Sequence, residues 1–162
     1  MREVEAIRKH PLYTEYYDRL KEAEKKRRFC CHQMAHLIDV ARIAYISNLE
    51  EQMGIRKEVI YGAALLHDIG KIRQYQEGIP HEKASAEIAR IILEDLPEDY
   101  YSEEEKCAIL KAIYGHRTER DQMDELERLI YLSDKSSRMC FDCGMEAECN
   151  WNAEKKNLEI RV

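Results

Sequence analysis

Apolar residues recur along this chain at the three- and four-residue intervals of an amphipathic helix, and in five stretches a histidine or an aspartate falls on the same stripe. His36 shares a face with Val40 and Ile43; His67 and Asp68 extend the stripe of Ile60, Ala63 and Ala64; His81 precedes Ala84 and Ile88. His116 follows Ile109 and Ile113, and Asp134 follows Leu126 and Ile130. One inward imidazole can be satisfied by a backbone carbonyl. Four His and two Asp turned into one small core cannot easily all find separate backbone partners. An ionised Asp68 against apolar surface needs a counter-charge, either Lys71 or a metal ion. Convergence on one centre removes the difficulty, because neutral imidazole and carboxylate are donors that divalent transition metals accept. Six such donors exceed the three or four of a typical single-zinc site, and two ions sharing a carboxylate would use them all.

The same periodicity places the helices. One runs from Pro11 to Arg28 with Leu12, Tyr16 and Leu20 on its buried side and the basic run Lys25-Lys26-Arg27-Arg28 as a solvated end. Others run from His32 to Glu51 and from Arg56 to Ile69, the latter stopped by Gly70 as a C-terminal cap. After a polar stretch through Gly78, Pro80 opens a helix reaching about Asp95, which Pro97 closes. Ser102 with Glu105 forms a capping box for a helix ending near Gly115, and a last helix spans Asp124 to about Met139. No stretch alternates as a strand would. With 162 residues, 44% hydrophobic and 36% charged, six Gly and three Pro, the expectation is a single all-α domain, a compact multi-helix bundle.

Composition also excludes partners. A formal net charge of -6 disfavours a nucleic acid polymer or an anionic membrane. No apolar run approaches the ~20 residues needed to cross a bilayer, and Met1-Arg2-Glu3-Val4-Glu5 lacks the apolar core of a signal peptide, so a cytoplasmic protein is expected.

Taken in order, His36-Leu37-Ile38-Asp39-Val40-Ala41-Arg42-Ile43-Ala44, His67-Asp68-Ile69-Gly70-Lys71, His81-Glu82-Lys83-Ala84-Ser85, His116-Arg117 and Tyr131-Leu132-Ser133-Asp134-Lys135 resemble the HD-domain metal-dependent phosphohydrolases over about residues 29–139. The resemblance implies an HD-domain helical fold in which His36, His67, Asp68 and Asp134 hold a first metal. It further implies that Asp68 bridges to a second metal held by His81 and His116. His32, one turn before His36, is a rival for the first position; Val40, Ala41 and Ala44 following in the family's pattern favour His36. His10 lies outside the pattern and is expected at the surface.

The implied chemistry is hydrolysis of a phosphate ester or anhydride by a hydroxide that two divalent ions (Fe, Mn, Co, Ni or Zn) activate, with Asp68 and Lys71 as the catalytic residues. Lys71 is also the first candidate for binding the substrate phosphate. Arg117, Lys135 and Arg138, close in sequence to proposed ligands, are either further phosphate contacts or solvated surface charges. The phrase Ile130-Tyr131-Leu132-Ser133-Asp134-Lys135 is most similar to small HD hydrolases acting on nucleotides, including those that split diadenosine tetraphosphate. That subgroup usually has Asp-Tyr-Ala-Lys where this chain has Asp68-Ile69-Gly70-Lys71. A small phosphorylated substrate, a nucleotide in particular, is the expected partner. Two other readings use the same residues: a diiron oxygenase of the HD fold, and a non-catalytic module sensing a nucleotide or redox state.

Beyond this pattern, in a C-terminal extension over residues 140–162, lie Cys140, Cys143 and Cys149, followed by Trp151. Cys30, one turn before the His32 to His36 segment, is positioned to add a fourth sulfur. The set reads either as a structural zinc or iron-sulfur site or as free thiols. The spacing of the last three resembles the ending of iron-sulfur sites in some DNA repair enzymes and nucleases. Cys107 is expected to pack inside its helix, and no role attaches to Cys31.

Overall fold

Capping chemistry and apolar stripes set where each helix of the computed structural model begins and ends; it describes residues 1–160, among which there is no strand. The helices are α1 (Arg2–Lys9), α2 (Pro11–Ala23), α3 (Met34–Glu50), α4 (Lys57–Leu66), α5 (Lys71–Glu77), α6 (His81–Asp95), α7 (Glu103–Gly115) and α8 (Glu125–Ser136). Ser102 and Glu105 form the capping box expected for α7, and Asp124 with Glu127 forms a second one at α8.

The organising element is α4. Its residues Val59, Ile60 and Gly62 to Leu66 are all buried, because α1, α3, α7 and α8 pack around it. A helix apolar on every side belongs inside the bundle, and each fully buried Ile or Leu there contributes ~2 kcal/mol. Its C-terminal end, followed at once by His67 and Asp68, therefore reaches the middle of the molecule. The partial negative charge of that end favours a cation there.

Several boundaries differ from the sequence reading, each for a local reason. The basic run 25–28 lies outside α2, which stops at Ala23 because Glu24 turns inward to hold His32. His10 is not a free surface residue: its Nδ1 accepts from the Leu12 amide at 3.2 Å and so caps α2. The short helices α1 and α5 bury too few side chains to show a stripe, Val4 and Ile7 in one and Ile72 in the other. Gly70 is not a C-terminal cap. Its φ is -83, and it opens α5; the left-handed cap is Gly78, with φ 72, whose amide donates to the Gln74 carbonyl at 3.2 Å. What Gly70 supplies is closeness, since a Cβ there would lie 2.3 Å from the Ser85 amide nitrogen on α6.

Past α8 the chain makes two short 3-10 turns, Cys140–Asp142 and Glu146–Glu148. Buried Asn157 ties this segment back, donating from Nδ2 to the Ser136 carbonyl at 2.7 Å and accepting from the Phe141 amide at 3.0 Å. No helix among the described residues is long and apolar enough to cross a membrane.

Candidate metal centre

Four imidazoles are keyed the same way. His67 donates from Nδ1 to the Ala64 carbonyl at 2.7 Å, and His116, just past the end of α7, donates to the Ile113 carbonyl at 2.6 Å. His81, the first residue of α6, meets Gln74 Oε1 through Nδ1 at 2.6 Å. His36 in the first turn of α3 meets Ser137 Oγ at 3.0 Å, and that hydroxyl donates onward to the Asp134 carbonyl at 2.8 Å. With each Nδ1 proton engaged, four Nε2 lone pairs face inward, the tautomer a metal ligand requires.

What they face is Asp68 and Asp134. Asp68 Oδ2 lies 3.2 Å from His67 Nε2 and 3.6 Å from His36 Nε2, while Oδ1 lies 3.4 Å from His81 Nε2 and 3.7 Å from His116 Nε2. Asp134 Oδ1 is 3.3 Å from His36 Nε2 and 3.8 Å from His67 Nε2. The donors fall into two groups, His36 with His67, Asp68 and Asp134, and Asp68 with His81 and His116, each confined within 4.8 Å and wholly buried. Asp68 belongs to both.

The residues fit metal ions on three counts. His67 Nε2 and Asp134 Oδ1 are buried without a hydrogen-bond partner, a cost that a bound cation would relieve. The Nε2 atoms of His81 and His116 stand 3.1 Å apart, so two neutral lone pairs repel unless a cation or proton lies by them. Donors 3.1 to 3.8 Å apart suit an ion with bonds of ~2.0 to 2.2 Å.

Charge points the same way. Burial would raise both carboxyls, but His67 and His32 around Asp68, and Lys135 and His36 around Asp134, hold them well below the usual carboxylate range. Burial opposes a charge on His67, yet the two carboxylates outweigh it and raise the imidazole to about 10, so without a metal this Nε2 holds a proton that an entering cation would displace. His81 goes the other way, lowered by burial and by Lys71 to about 2, and is thus a neutral donor.

Above the carboxylates opens a cavity of about 550 Å³, walled by Arg27, Lys71, Arg117, Lys135 and Arg138. Lys71 is half-buried with Nζ 3.5 Å from His81 Nδ1, and burial lowers its pKa. Lys135 donates to Asp134 Oδ2 at 2.7 Å and to the His116 carbonyl at 3.2 Å. Arg138 is buried rather than a solvated surface charge, donating to the Cys31 carbonyl at 3.0 Å with Nη2 2.9 Å from His36 Nε2. Arg117 is exposed and pairs with Glu82 at 3.4 Å.

His32 joins neither donor group. It is buried, its Nδ1 2.5 Å from Glu24 Oε1 and its Nε2 3.9 Å from Asp68 Oδ2, so it borders the cavity beside the first group. Sequence reasoning did not single out Glu24, Gln74, Asn150, Asn152 or Lys155 at this site. Gln74 lies on the helix that showed no stripe, and the other late residues lie in a segment with no periodicity to read. Cys107 is exposed on α7, not packed inside it, because it faces away from the buried residues Ile109 and Ile113.

Comparison with known proteins places this arrangement. The HD domain family model matches residues 34–139, which include all six donors, and the chain belongs to the HD-domain family. It is 47% identical over 148 residues to an uncharacterized protein of Clostridium beijerinckii, covering 91% of both chains. It is 28% identical over 104 residues to ribonuclease Y of Mycoplasma mycoides, a match spanning 64% of this chain and only 22% of that protein. The crystal structure of a predicted HD superfamily hydrolase from an uncultured Thermotogales bacterium shares the fold, with a TM-score of 0.63 at 21% identity over 90% of this chain and 81% of that one.

Proposed function

We propose that this protein is a metal-dependent phosphohydrolase that cleaves a phosphate ester or anhydride of a small compound, in particular a nucleotide. The observation that carries the reading is the pair of buried donor groups sharing Asp68 on the floor of a cavity walled by cations. Bound divalent ions there would supply a hydroxide near neutral pH and Lewis-acid stabilisation of a phosphoryl oxygen. His36, His67, Asp68 and Asp134 would hold one ion, and Asp68, His81 and His116 the other.

The remaining residues divide the rest of the work. Lys71 beside His81 and Lys135 beside Asp134 line the cavity, where they can neutralise the charge of a phosphoryl group. Arg117, an exposed cation of the wall, suits a second phosphate farther out. Trp151 in the cavity wall, with Lys135 Nζ 5.7 Å from its ring centroid, offers the planar apolar face that a base stacks on; such stacking is worth ~1 to 3 kcal/mol. The enclosing wall and the net charge of -6 support a small substrate over a polymer.

The test is a panel of nucleoside mono-, di- and triphosphates, sugar phosphates, dinucleotides and short RNA, assayed with Mn, Co, Ni, Fe and Mg. Release of phosphate from small compounds is expected. Turnover of RNA alone would replace the reading with one nearer the ribonuclease relative, and oxygen consumption without phosphate release would favour oxygenase chemistry at the same donors.

A further inference from the structure

The segment after α8 raises a question of its own stability. Across residues 140–157 there is no α-helix, and the one buried residue is the polar Asn157; Phe141 is 42% exposed, and the neighbouring Met139 and Leu158 are 66% and 44% exposed. Yet this segment supplies Asn150, Trp151, Asn152 and Lys155 to the wall of the metal-centre cavity. A short stretch that buries no apolar core needs another fastening, typically a disulfide or a metal. Disulfides are absent: all six cysteines are free.

Four of those cysteines share one cavity. Cys140, Cys143 and Cys149 from this segment and Cys30 from the loop between α2 and α3 line one cavity of about 380 Å³. The local backbone arranges the first three: the Cys143 amide donates to the Cys140 carbonyl at 3.3 Å, closing one 3-10 turn, and Cys149 follows directly on the next. The other two cysteines stand apart. Cys31 turns its thiol to the Phe29 carbonyl, and Cys107 is exposed on α7.

The spacing of the sulfurs favours a cluster over a single ion. Tetrahedral zinc, with Zn–S near 2.3 Å, needs sulfurs ~3.8 Å apart. No three of these sulfurs lie within 4.8 Å of one another. A cage of irons and inorganic sulfides holds its four thiolates more widely and fills a larger space. We propose that Cys30, Cys140, Cys143 and Cys149 ligate an iron-sulfur cluster, a metal site separate from the two donor groups, which fastens the C-terminal segment to the loop before α3. Arg27, Lys71 and Arg138 line the same cavity and would offset part of the negative charge of a cluster held by four thiolates, while Lys156 pairs with Glu146 at its edge at 2.6 Å. Because Arg27, Lys71, Arg138 and Trp151 border both cavities, the cluster would also fix one wall of the substrate site.

Acid-labile sulfide is the decisive readout, because iron bound at the His/Asp donors brings none. Full-length protein made with ample iron and purified without oxygen is expected to be brown and to contain about four sulfides per chain, with an electron paramagnetic signal on reduction by dithionite. Asp68→Ala should lose metal-centre iron and keep the sulfide. Cys143→Ser and Cys149→Ser should lose the sulfide, and Cys107→Ser should keep it. Because a cysteine variant can fail by unfolding, the parent protein also decides alone: chelator-stripped parent given ferric iron and sulfide with excess thiol, which reduces part of the iron, should take up sulfide to the same saturating level. Parent protein without labile sulfide, whether its four thiols titrate freely or hold one zinc, overturns the proposal.

Discussion

Gly70→Ala tests whether the turn after α4 must touch α6 for the metal centre to form. An added Cβ would sit 2.3 Å from the Ser85 amide nitrogen, 2.5 Å from the Ala84 carbonyl carbon and 2.8 Å from the Ala84 Cβ. Two of these are backbone atoms, so relief requires α6 to move by ~1 Å toward ordinary contact. Overpacking of this kind costs ~1 to 3 kcal/mol, and the hydrogen bond from the Gly70 amide to Ser85 Oγ, 2.9 Å long, contributes ~1 kcal/mol more. Against this, alanine restricts the unfolded chain and recovers ~0.4 to 1 kcal/mol, since a φ of -83 is ordinary for an L-residue. The net loss is ~1 to 3 kcal/mol, or a fall in Tm of ~3 to 10 °C for a protein of this size. His81 sits one turn before Ala84 and Ser85, so the same displacement carries its Nε2 off Asp68 Oδ1, now 3.4 Å away. Thermal melts in chelator measure the clash, and the rise in Tm on adding Mn or Co measures the metal site. The reasoning fails if the variant melts with the parent in chelator. Ser85→Ala, which loses the hydrogen bond but creates no clash, should show the smaller part of the effect.

Asp68→Ala should remove both ions and all hydrolysis while the helical signal persists, because Asp68 alone belongs to both donor groups; elemental analysis showing parental metal content would sink the bridging role. His81→Ala and His116→Ala should each remove about one equivalent of metal and most activity, leaving the ion at His36, His67 and Asp134, as anomalous scattering or calorimetry would register. Trp151→Ala should raise KM for nucleotides by ~5- to 100-fold, the equivalent of one lost stack, with ribose 5-phosphate unaffected. The chain's one tryptophan also makes quenching of its fluorescence by nucleotide, and not by ribose 5-phosphate, a direct check of that contact.

The membership in an all-helical family was legible because stripe and polar donor coincide on the longer helices: α6 and α8 bury His81 and Asp134 on the same faces as Ile88 and Ile130. What stayed hidden had no stripe to announce it. α5 buries only Ile72, yet it carries Gln74, which keys the His81 tautomer, and Lys71 at its first position. Glu24 looked like one more charge in a charged run, and only the fold shows it buried between His32 and Tyr75, accepting from the tyrosine hydroxyl at 2.8 Å.

Gly70 shows how far a short motif can be read and where reading it locally misleads. A glycine after an apolar helix is most simply a left-handed cap, and its own neighbours contain nothing against that. The reason for glycine here lies fifteen positions downstream, in the Ser85 backbone pressed against it. Gly115 repeats the lesson at the other end of the site. It has no turn to make, but the Glu127 carboxylate of α8 fills the space its Cβ would occupy, one residue before His116. Both glycines stand within two residues of a proposed ligand, but only Gly70 meets backbone; at Gly115 the neighbour is a side chain. Six donors arriving from five segments can share one centre only if those segments close to this distance, so Gly70 is as much a part of the metal geometry as the histidines around it.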